Sequence, residues 1–99
     1  MIIREGLTFD DVLLVPQFSV VQSRSRISTY VKLCDFLEFN HPIIPANMSN
    51  ITGKEMAIEI IKSGGLAILH RFMPMQEQYD IAKFLVDNYG PNNFAMSIG

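Results

Sequence analysis

Cysteine is nearly absent from this chain, and its scarcity excludes two kinds of site. Cys34 is the one cysteine among 99 residues, so the chain cannot form an internal disulfide and lacks the spacing of a cysteine metal cluster. A reducing compartment, the cytoplasm, is therefore expected. Cys34 falls where a strand is expected to end, and a structural apolar side chain and a reactive thiol are both open interpretations.

Strong charge and long apolar runs are missing as well. The formal net charge of -2 is too small to indicate a polyanionic partner. Arg24 and Arg26 form the one close basic pair, which is more typical of a solvated loop than of a nucleic-acid patch. No apolar stretch approaches the roughly 20 residues that cross a bilayer, and no signal-peptide pattern opens the sequence. We expect neither a nucleic acid nor a membrane as partner.

Residues 1–41 predict a β-rich arm. Thr8 can cap a single turn, because its hydroxyl can accept from the backbone N–H groups of the two aspartates that follow. Those aspartates are adjacent and point apart, so capping fits them better than acid–base chemistry. Residues 12–15 are apolar throughout, which is typical of a short strand or an extended arm packed on something larger. Residues 27–33 alternate and predict a half-buried strand, followed by a turn and return over 35–41.

From residue 42 to residue 99 the pattern changes to alternating strands and helices. The apolar strands lack polar alternation, which fits a parallel sheet covered on both faces. In such folds ligands bind beyond the carboxyl ends of the strands, so the polar residues at the strand ends are the site candidates. The predicted order is strand 43–46, helix 53–62, strand 66–69, helix 74–88 and strand 94–99.

The ends and faces of these helices follow from local signals. Thr52 and Glu55 have the spacing of a capping box, and Gly64 or Gly65 is expected to end the first helix in a left-handed conformation. Three strands and two helices cannot close an eight-unit barrel, which takes typically ~250 residues. We therefore expect the first part of a longer chain. The side chains predicted to face inward are Met56, Ala57, Ile60, Ile61, Tyr79, Ile81, Phe84 and Leu85.

Three segments carry a resemblance to a known family. They are LTFDDVLLVP at residues 7–16, PIIPANM at residues 42–48 and GGLAILHR at residues 64–71. The first resembles the N-terminal signature of the IMP dehydrogenase/GMP reductase family, and the others resemble its first two barrel strands. The resemblance implies the N-terminal portion of a (β/α)8 TIM barrel preceded by a short β-rich arm. It also implies a cytoplasmic homotetramer.

Within the family, three details resemble the reductase branch: residues 46–48, the Ser-Arg-Ser of residues 23–25, and a second helix that leads directly into residues 94–99. Most dehydrogenases carry a CBS pair at that last point. The resemblance implies that GMP and NADPH are converted to IMP, ammonia and NADP⁺. The cysteine nucleophile and a K⁺ loop would lie in later segments, and Cys34 does not match that nucleophile. Two alternatives are IMP dehydrogenase, which uses NAD⁺, and a truncated, non-catalytic piece that acts only in assembly.

The resemblance also implies roles for the residues at the three strand ends, with no catalytic residue and no metal ligand among them. Arg71 stands where the family commonly has lysine, Ile98 where a second serine is usual, and Ser49-Asn50 where Asp-Thr is usual. The implied substrate-binding residues are Asn47 and Met48, and the implied cofactor-binding residues are His70, Arg71, Ser97 and Gly99.

Each of these roles has a structural alternative. Met48 can fill the barrel mouth as part of the core, although its polarizable sulfur suits a purine contact. Arg71 can hold a cofactor phosphate or position the reacting groups, or it can form an ion pair at the barrel rim. His70 can be a hydrogen-bonded structural histidine. Gly99 would allow close approach of the backbone to a ligand.

Overall fold

A computed structural model describes residues 1–99 and gives an α/β structure with two small sheets. The first sheet pairs β1 with β2 in antiparallel fashion, and the second pairs β3 with β4 in parallel. The N-terminal part contains two single 3₁₀ turns. In chain order the elements are the turns Phe9–Asp11 and Arg24–Arg26, then β1 (Val31–Cys34), β2 (Leu37–Phe39), α1 (Lys54–Lys62), β3 (Ala67–Leu69), α2 (Met75–Tyr89) and β4 (Phe94–Met96).

The hairpin of β1 and β2 confirms the predicted turn and return but corrects the start of the strand. Pairing begins at Val31 opposite Phe39 and not at residue 27. The reason is that β2 ends at Phe39, so residues 27–30 have no strand to pair with. Thr29 instead donates its hydroxyl hydrogen to the Asn40 carbonyl at 2.6 Å. Cys34 closes β1 as predicted, with a partly buried free thiol.

The first 3₁₀ turn is capped by Thr8 and Asp11 together. The Asp11 carboxylate accepts the Thr8 backbone N–H at 2.8 Å and the Thr8 hydroxyl hydrogen at 3.1 Å. Thr8 and Asp11 thus form a reciprocal capping box, and the predicted cap at Thr8 is confirmed. Residues 12–15 that follow form no strand, and Leu13 and Leu14 are almost fully exposed. The extended-arm interpretation is therefore the one that the structure supports.

We expect the Thr8→Ala substitution to raise the pKa of Asp11. The backbone N–H and then the hydroxyl of Thr8 lower that pKa below its ordinary value of 3.8, because both stabilise the ionised carboxylate. The alanine variant removes the hydroxyl and keeps the stronger backbone donor, so the pKa should recover only in part. Since the folded-state pKa is depressed, this small stabilisation is present above pH 3.8 and is lost as the pH falls through the folded-state value.

The measurement is an NMR titration of the Asp11 side-chain carboxyl carbon in both proteins. Thr8→Ser serves as the matched control, because it keeps the hydroxyl and should leave the Asp11 pKa unchanged. Identical Asp11 titration curves for the parent and Thr8→Ala proteins would show that the hydroxyl bond contributes nothing.

The core lies where α1 and α2 cover the same parallel sheet. In β3 and β4, Ala67 pairs with Phe94 and Leu69 with Met96. The burial of apolar side chains away from water is the main term that stabilises a structure of this size. The buried cluster consists of Ala57, Ile61, Ala67, Leu69, Ile81 and Leu85.

The strand predicted at residues 43–46 is not formed. Pro42 and Pro45 flank the two isoleucines and have no N–H to donate, so a regular hydrogen-bonded ladder is interrupted there. The segment is held by individual polar contacts, among them the Thr52 hydroxyl on the Ala46 carbonyl at 2.7 Å. Ile43 is accordingly 67% exposed. The prediction of three parallel strands is therefore wrong for the first of them.

The predicted capping box at α1 is also wrong. Gly53 is the N-cap residue, and no side chain caps the helix. Thr52 lies one residue before the N-cap, is fully buried, and donates its hydroxyl hydrogen to the Ala46 carbonyl. At the other end of α1 the prediction is confirmed, because Gly64 has a φ of 81°. A side chain there would also collide with Asn40, whose backbone N–H donates to the Gly64 carbonyl at 2.8 Å.

Two side chains predicted to face inward do not. Met56 and Tyr79 are exposed, whereas Ile60 and Phe84 pack partly buried against the core. Ala57 and Ile61 lie one helical turn apart and form the buried stripe of α1, so the stripe is narrower than predicted. No helix in the structure has both the length and the apolar character that a membrane crossing requires.

Candidate functional site

The carboxyl ends of β3 and β4 lie side by side because the two strands are parallel. The last backbone bond of this ladder joins the Ser97 N–H to the Leu69 carbonyl at 3.0 Å. His70 and Arg71 continue from β3, and Ser97 continues from β4. The polar residues predicted at these two strand ends therefore meet at one edge of the sheet.

Asn47 joins this edge from a third segment of the chain. Its side-chain amide donates to the Ser97 hydroxyl oxygen at 2.6 Å across 50 positions of sequence. The contact holds the loop after residues 43–46 against the end of β4 although that segment is not a strand. The predicted substrate side and the predicted cofactor side are thus adjacent in the structure.

Met48 lies next to Asn47 with its side chain 51% exposed. Its carbonyl accepts the N–H groups of Ile51 and Thr52, both at 3.0 Å, so the backbone of this loop is fixed. The Met48 side chain is not among the residues of the buried cluster. Both interpretations of Met48, as part of the core at the barrel mouth and as a purine contact, therefore stay predictions.

Arg71 packs directly on Gly99. A Cβ atom at residue 99 would lie 2.8 Å from an Nη atom of Arg71, a contact that the flexible end of the arginine side chain can relieve by a small shift. The Arg71 guanidinium carbon is also 5.0 Å from the centre of the Phe72 ring. The three salt bridges within these 99 residues involve other side chains, and both interpretations of Arg71 stay predictions.

His70 is the most buried of the predicted site residues, with 8% of its surface exposed. Its Nδ1 accepts the Phe72 backbone N–H at 3.1 Å, which places the proton of the neutral ring on Nε2. Its own backbone N–H donates to the Thr52 carbonyl at 3.3 Å. These contacts support the structural interpretation of His70, and its contact with a cofactor stays a prediction.

The largest groove of the structure has a volume of about 660 Å³ and is lined by residues of both helices, by the loop residues 49–51 and by His70. It runs between α1 and α2, where the Lys54 ammonium lies 4.1 Å from the centre of the Phe84 ring. Of the six predicted site residues only His70 borders this groove. Since ligands of parallel α/β folds bind beyond the strand ends, we place the candidate site at the strand ends and not in this groove.

Gln78 is the residue at this edge that sequence analysis missed. Its side-chain Nε2 donates to the His70 carbonyl at 3.3 Å and to the Ser97 carbonyl at 3.0 Å. A signal was present in the sequence, because Gln78, Ile81 and Leu85 share one helical stripe at spacings of three and four residues. A glutamine on an otherwise buried apolar stripe indicates a polar partner inside, and here the partners are two strand-end carbonyls.

A histidine–serine contact elsewhere in the structure is not a nucleophile and its base. His41 Nε2 lies 2.8 Å from the Ser63 hydroxyl, while His41 Nδ1 accepts the Ile43 N–H. The Ser63 hydroxyl donates to the Ile60 carbonyl at 2.6 Å. The histidine therefore donates to the serine and cannot accept its proton. No group of three or more His, Cys, Asp or Glu side chains lies close enough together to hold a metal ion.

Comparisons with known proteins match this arrangement to one family. Residues 6–86 match the family model described as IMP dehydrogenase / GMP reductase domain. The inosine-5'-monophosphate dehydrogenase of Nitrosopumilus maritimus is 47% identical over 75 residues, or 76% of this chain and 16% of that protein. The GMP reductase of Leishmania donovani is 42% identical over 74 residues, or 75% of this chain and 15% of that protein.

One solved structure, also of a GMP reductase, is similar to this chain. The GMP reductase of Trypanosoma brucei, crystallised in complex with guanosine 5'-triphosphate, has a TM-score of 0.73 and 39% identity over 81% of this chain and 19% of that one. The chain thus spans less than a fifth of the length of the proteins it matches. The matched residues include all of α1, most of α2 and the loop that carries Asn47 and Met48. This chain belongs to the IMP dehydrogenase/GMP reductase family.

Proposed function

We propose that this chain is the N-terminal part of a GMP reductase, which converts GMP and NADPH to IMP, ammonia and NADP⁺. The observation that carries the proposal is the short link between α2 and β4. Only residues 90–93 separate Tyr89 from Phe94, and β4 then pairs directly with β3. A regulatory CBS pair, expected at this point in most dehydrogenases, has no room there. The Leishmania and Trypanosoma relatives named GMP reductase support the same branch.

In the proposed enzyme, one group of residues at the strand ends binds the nucleotide and another group binds the cofactor. Asn47 and Met48 face the nucleotide, where the half-exposed thioether suits contact with a purine ring. Ser97, Gly99 and Arg71 face the cofactor. The fit of Arg71 to a phosphate-bearing cofactor rests on its guanidinium, which has no carboxylate partner and is seated on a residue without a side chain. When bound, NADPH supplies the hydride.

The residues of this chain orient ligands in the proposed enzyme and do not form the covalent bond. Cys34 is partly buried at the end of β1, in the hairpin and not at the ends of β3 and β4. The proposal therefore places the cysteine nucleophile and any K⁺ loop outside these 99 residues. It also includes a completed (β/α)8 barrel formed from residue 42 onward, with residues 1–41 as its arm, assembled as a cytoplasmic homotetramer.

One observation favours a second candidate. The Nitrosopumilus relative, named as a dehydrogenase, is more similar to this chain than the Leishmania reductase, at 47% against 42% identity. The family match also ends at residue 86, before the link on which the reductase proposal depends. IMP dehydrogenase, which oxidises IMP with NAD⁺, is therefore the alternative function.

An assay of the natural protein that carries this chain separates the two functions. We expect NADPH to be consumed when GMP is present, with release of one ammonia for each NADPH oxidised. NADH formation from IMP and NAD⁺ should not be detected. The controls omit the nucleotide or replace NADPH with NADH. NADH formation from IMP without NADPH consumption on GMP would replace the reductase with the dehydrogenase, and no turnover with either pair would favour the non-catalytic assembly role.

A further inference from the structure

The parallel ladder of β3 and β4 is closed at its carboxyl end by a side chain. The last ladder bond is from the Ser97 N–H to the Leu69 carbonyl. The next carbonyl of each strand, on His70 and on Ser97, accepts from the amide of Gln78 at 3.3 and 3.0 Å. A side-chain amide has two N–H donors, so one group can bond to both carbonyls at once. Gln78 takes the place of one further rung.

Gln78 reaches this place from a fixed position on α2. It lies in the first turn of the helix, where its backbone N–H donates to the Pro74 carbonyl at 3.1 Å. Ile81 and Leu85, on the same stripe, are buried in the core. These buried side chains fix α2 against the core, and Gln78 connects the helix to the ends of β3 and β4.

The carbonyls that Gln78 bonds belong to the residues that carry the site. Arg71 follows His70 directly, and Gly99, on which Arg71 packs, lies two residues beyond Ser97. The Ser97 hydroxyl in turn accepts from Asn47 at 2.6 Å. One network therefore runs from the loop of Asn47 through Ser97 and Gln78 to His70, and it joins three separate segments of chain at the proposed ligand face.

We propose that Gln78 is a positioning residue for the cofactor side of the site. It touches neither reacting group; it sets the spacing of the two strand ends from which Arg71, Ser97 and Gly99 extend. This inference rests on the proposed function for its kinetic consequence, but its structural consequence can be measured without any substrate.

The test compares Gln78→Glu with Gln76→Glu in the natural full-length protein. Gln78→Glu is isosteric but places carboxylate oxygen where the two donor hydrogens were, against two carbonyl oxygens. Gln76 lies on the same helix, where its amide donates only to the exposed Asp80 carboxylate at 2.9 Å, so it provides a control of equal charge change. Gln78→Met removes the donors without adding charge.

Hydrogen exchange in the absence of ligands is the first measurement. The backbone N–H groups of Ser97 and His70, bonded to Leu69 and Thr52, should exchange faster in both Gln78 variants and at the parent rate in Gln76→Glu. Unchanged exchange at both positions would overturn the proposal, whatever the assays show.

Steady-state kinetics is the second measurement. We expect kcat/KM for the nicotinamide cofactor to fall roughly tenfold in Gln78→Glu while the nucleotide KM stays within about twofold of the parent value. A mere loss of folded enzyme would instead lower kcat in proportion to the count of active sites and leave both KM values unchanged, and that result would overturn the positioning role. An inactive parent protein would refute the proposed function, and the exchange experiment would still decide the role of Gln78.

Discussion

Leu85→Ala should lower the free energy of unfolding by about 2–5 kcal/mol, the range for leucine-to-alanine changes in a packed core. Leu85 has no exposed surface and lies in the buried cluster with Leu69 and Ile81. Alanine removes apolar contact and leaves a cavity between α2 and β3, which the short strands can fill only by moving. Chemical denaturation of the natural protein, followed by circular dichroism, measures the change.

Met75→Ala is the matched control on the same helix. Met75 is 87% exposed, so its truncation should change the unfolding free energy by less than about 0.5 kcal/mol. Equal losses in the two variants would mean that Leu85 is not part of the core that the structure describes. A change in the denaturant slope for Leu85→Ala alone would indicate a shift in the compactness of one state and not a simple cavity.

The unit of β3, α2 and β4 could be predicted from the sequence because its local signals agree. Gly64 is a glycine where a left-handed residue ends α1, and Ile81 and Leu85 repeat at helical spacing on α2. Two short apolar runs on either side of that helix leave a parallel pair as the simplest arrangement. A unit can be predicted from its sequence when its turn, helix and strand signals agree.

The segment at residues 43–46 could not be predicted in the same way. Its isoleucines fit a buried strand, but the prolines on either side of them remove two backbone donors. The structure uses the Thr52 hydroxyl to hold Ala46 in place of a ladder. The capping box is absent because the helix begins one residue later than predicted, with Gly53 and not Thr52 as the N-cap.

The candidate site was predictable in its location and not in its connections. Parallel strands bring their carboxyl ends to one edge, so the meeting of Arg71 and Ser97 follows from topology. The bond from Asn47 to Ser97 spans 50 positions and depends on how the loop is held. The two hydrogen bonds of Gln78 depend on the position of α2 relative to the sheet. Neither can be derived from periodicity.

Arg71→Met should lower kcat/KM for the nicotinamide cofactor by about 10- to 100-fold in the proposed reductase, the equivalent of losing one charge-assisted hydrogen bond of roughly 1.5–3 kcal/mol. The guanidinium is seated on Gly99 and has no carboxylate to neutralise it, so its charge is available to a ligand. Methionine keeps much of the length and apolar surface of the arginine stem and removes only the charge and the donors. The KM for the nucleotide should change little, because the proposal assigns that side of the site to Asn47 and Met48.

Arg71→Lys and Lys83→Met complete the experiment. Lysine keeps the positive charge but replaces the planar fork with a point charge, so the lysine variant should lose less than about tenfold. Lys83 lies on α2 in an exposed pair with Asp87 at 2.9 Å, away from the strand ends, and its replacement by methionine should leave the kinetics at the parent level. If Arg71→Met bound the cofactor as tightly as the parent, or if Lys83→Met lost as much, the charge at the end of β3 would have no special part in holding the cofactor. Each methionine variant removes one positive charge. A difference between their kinetic constants therefore reports the effect of where that charge lies.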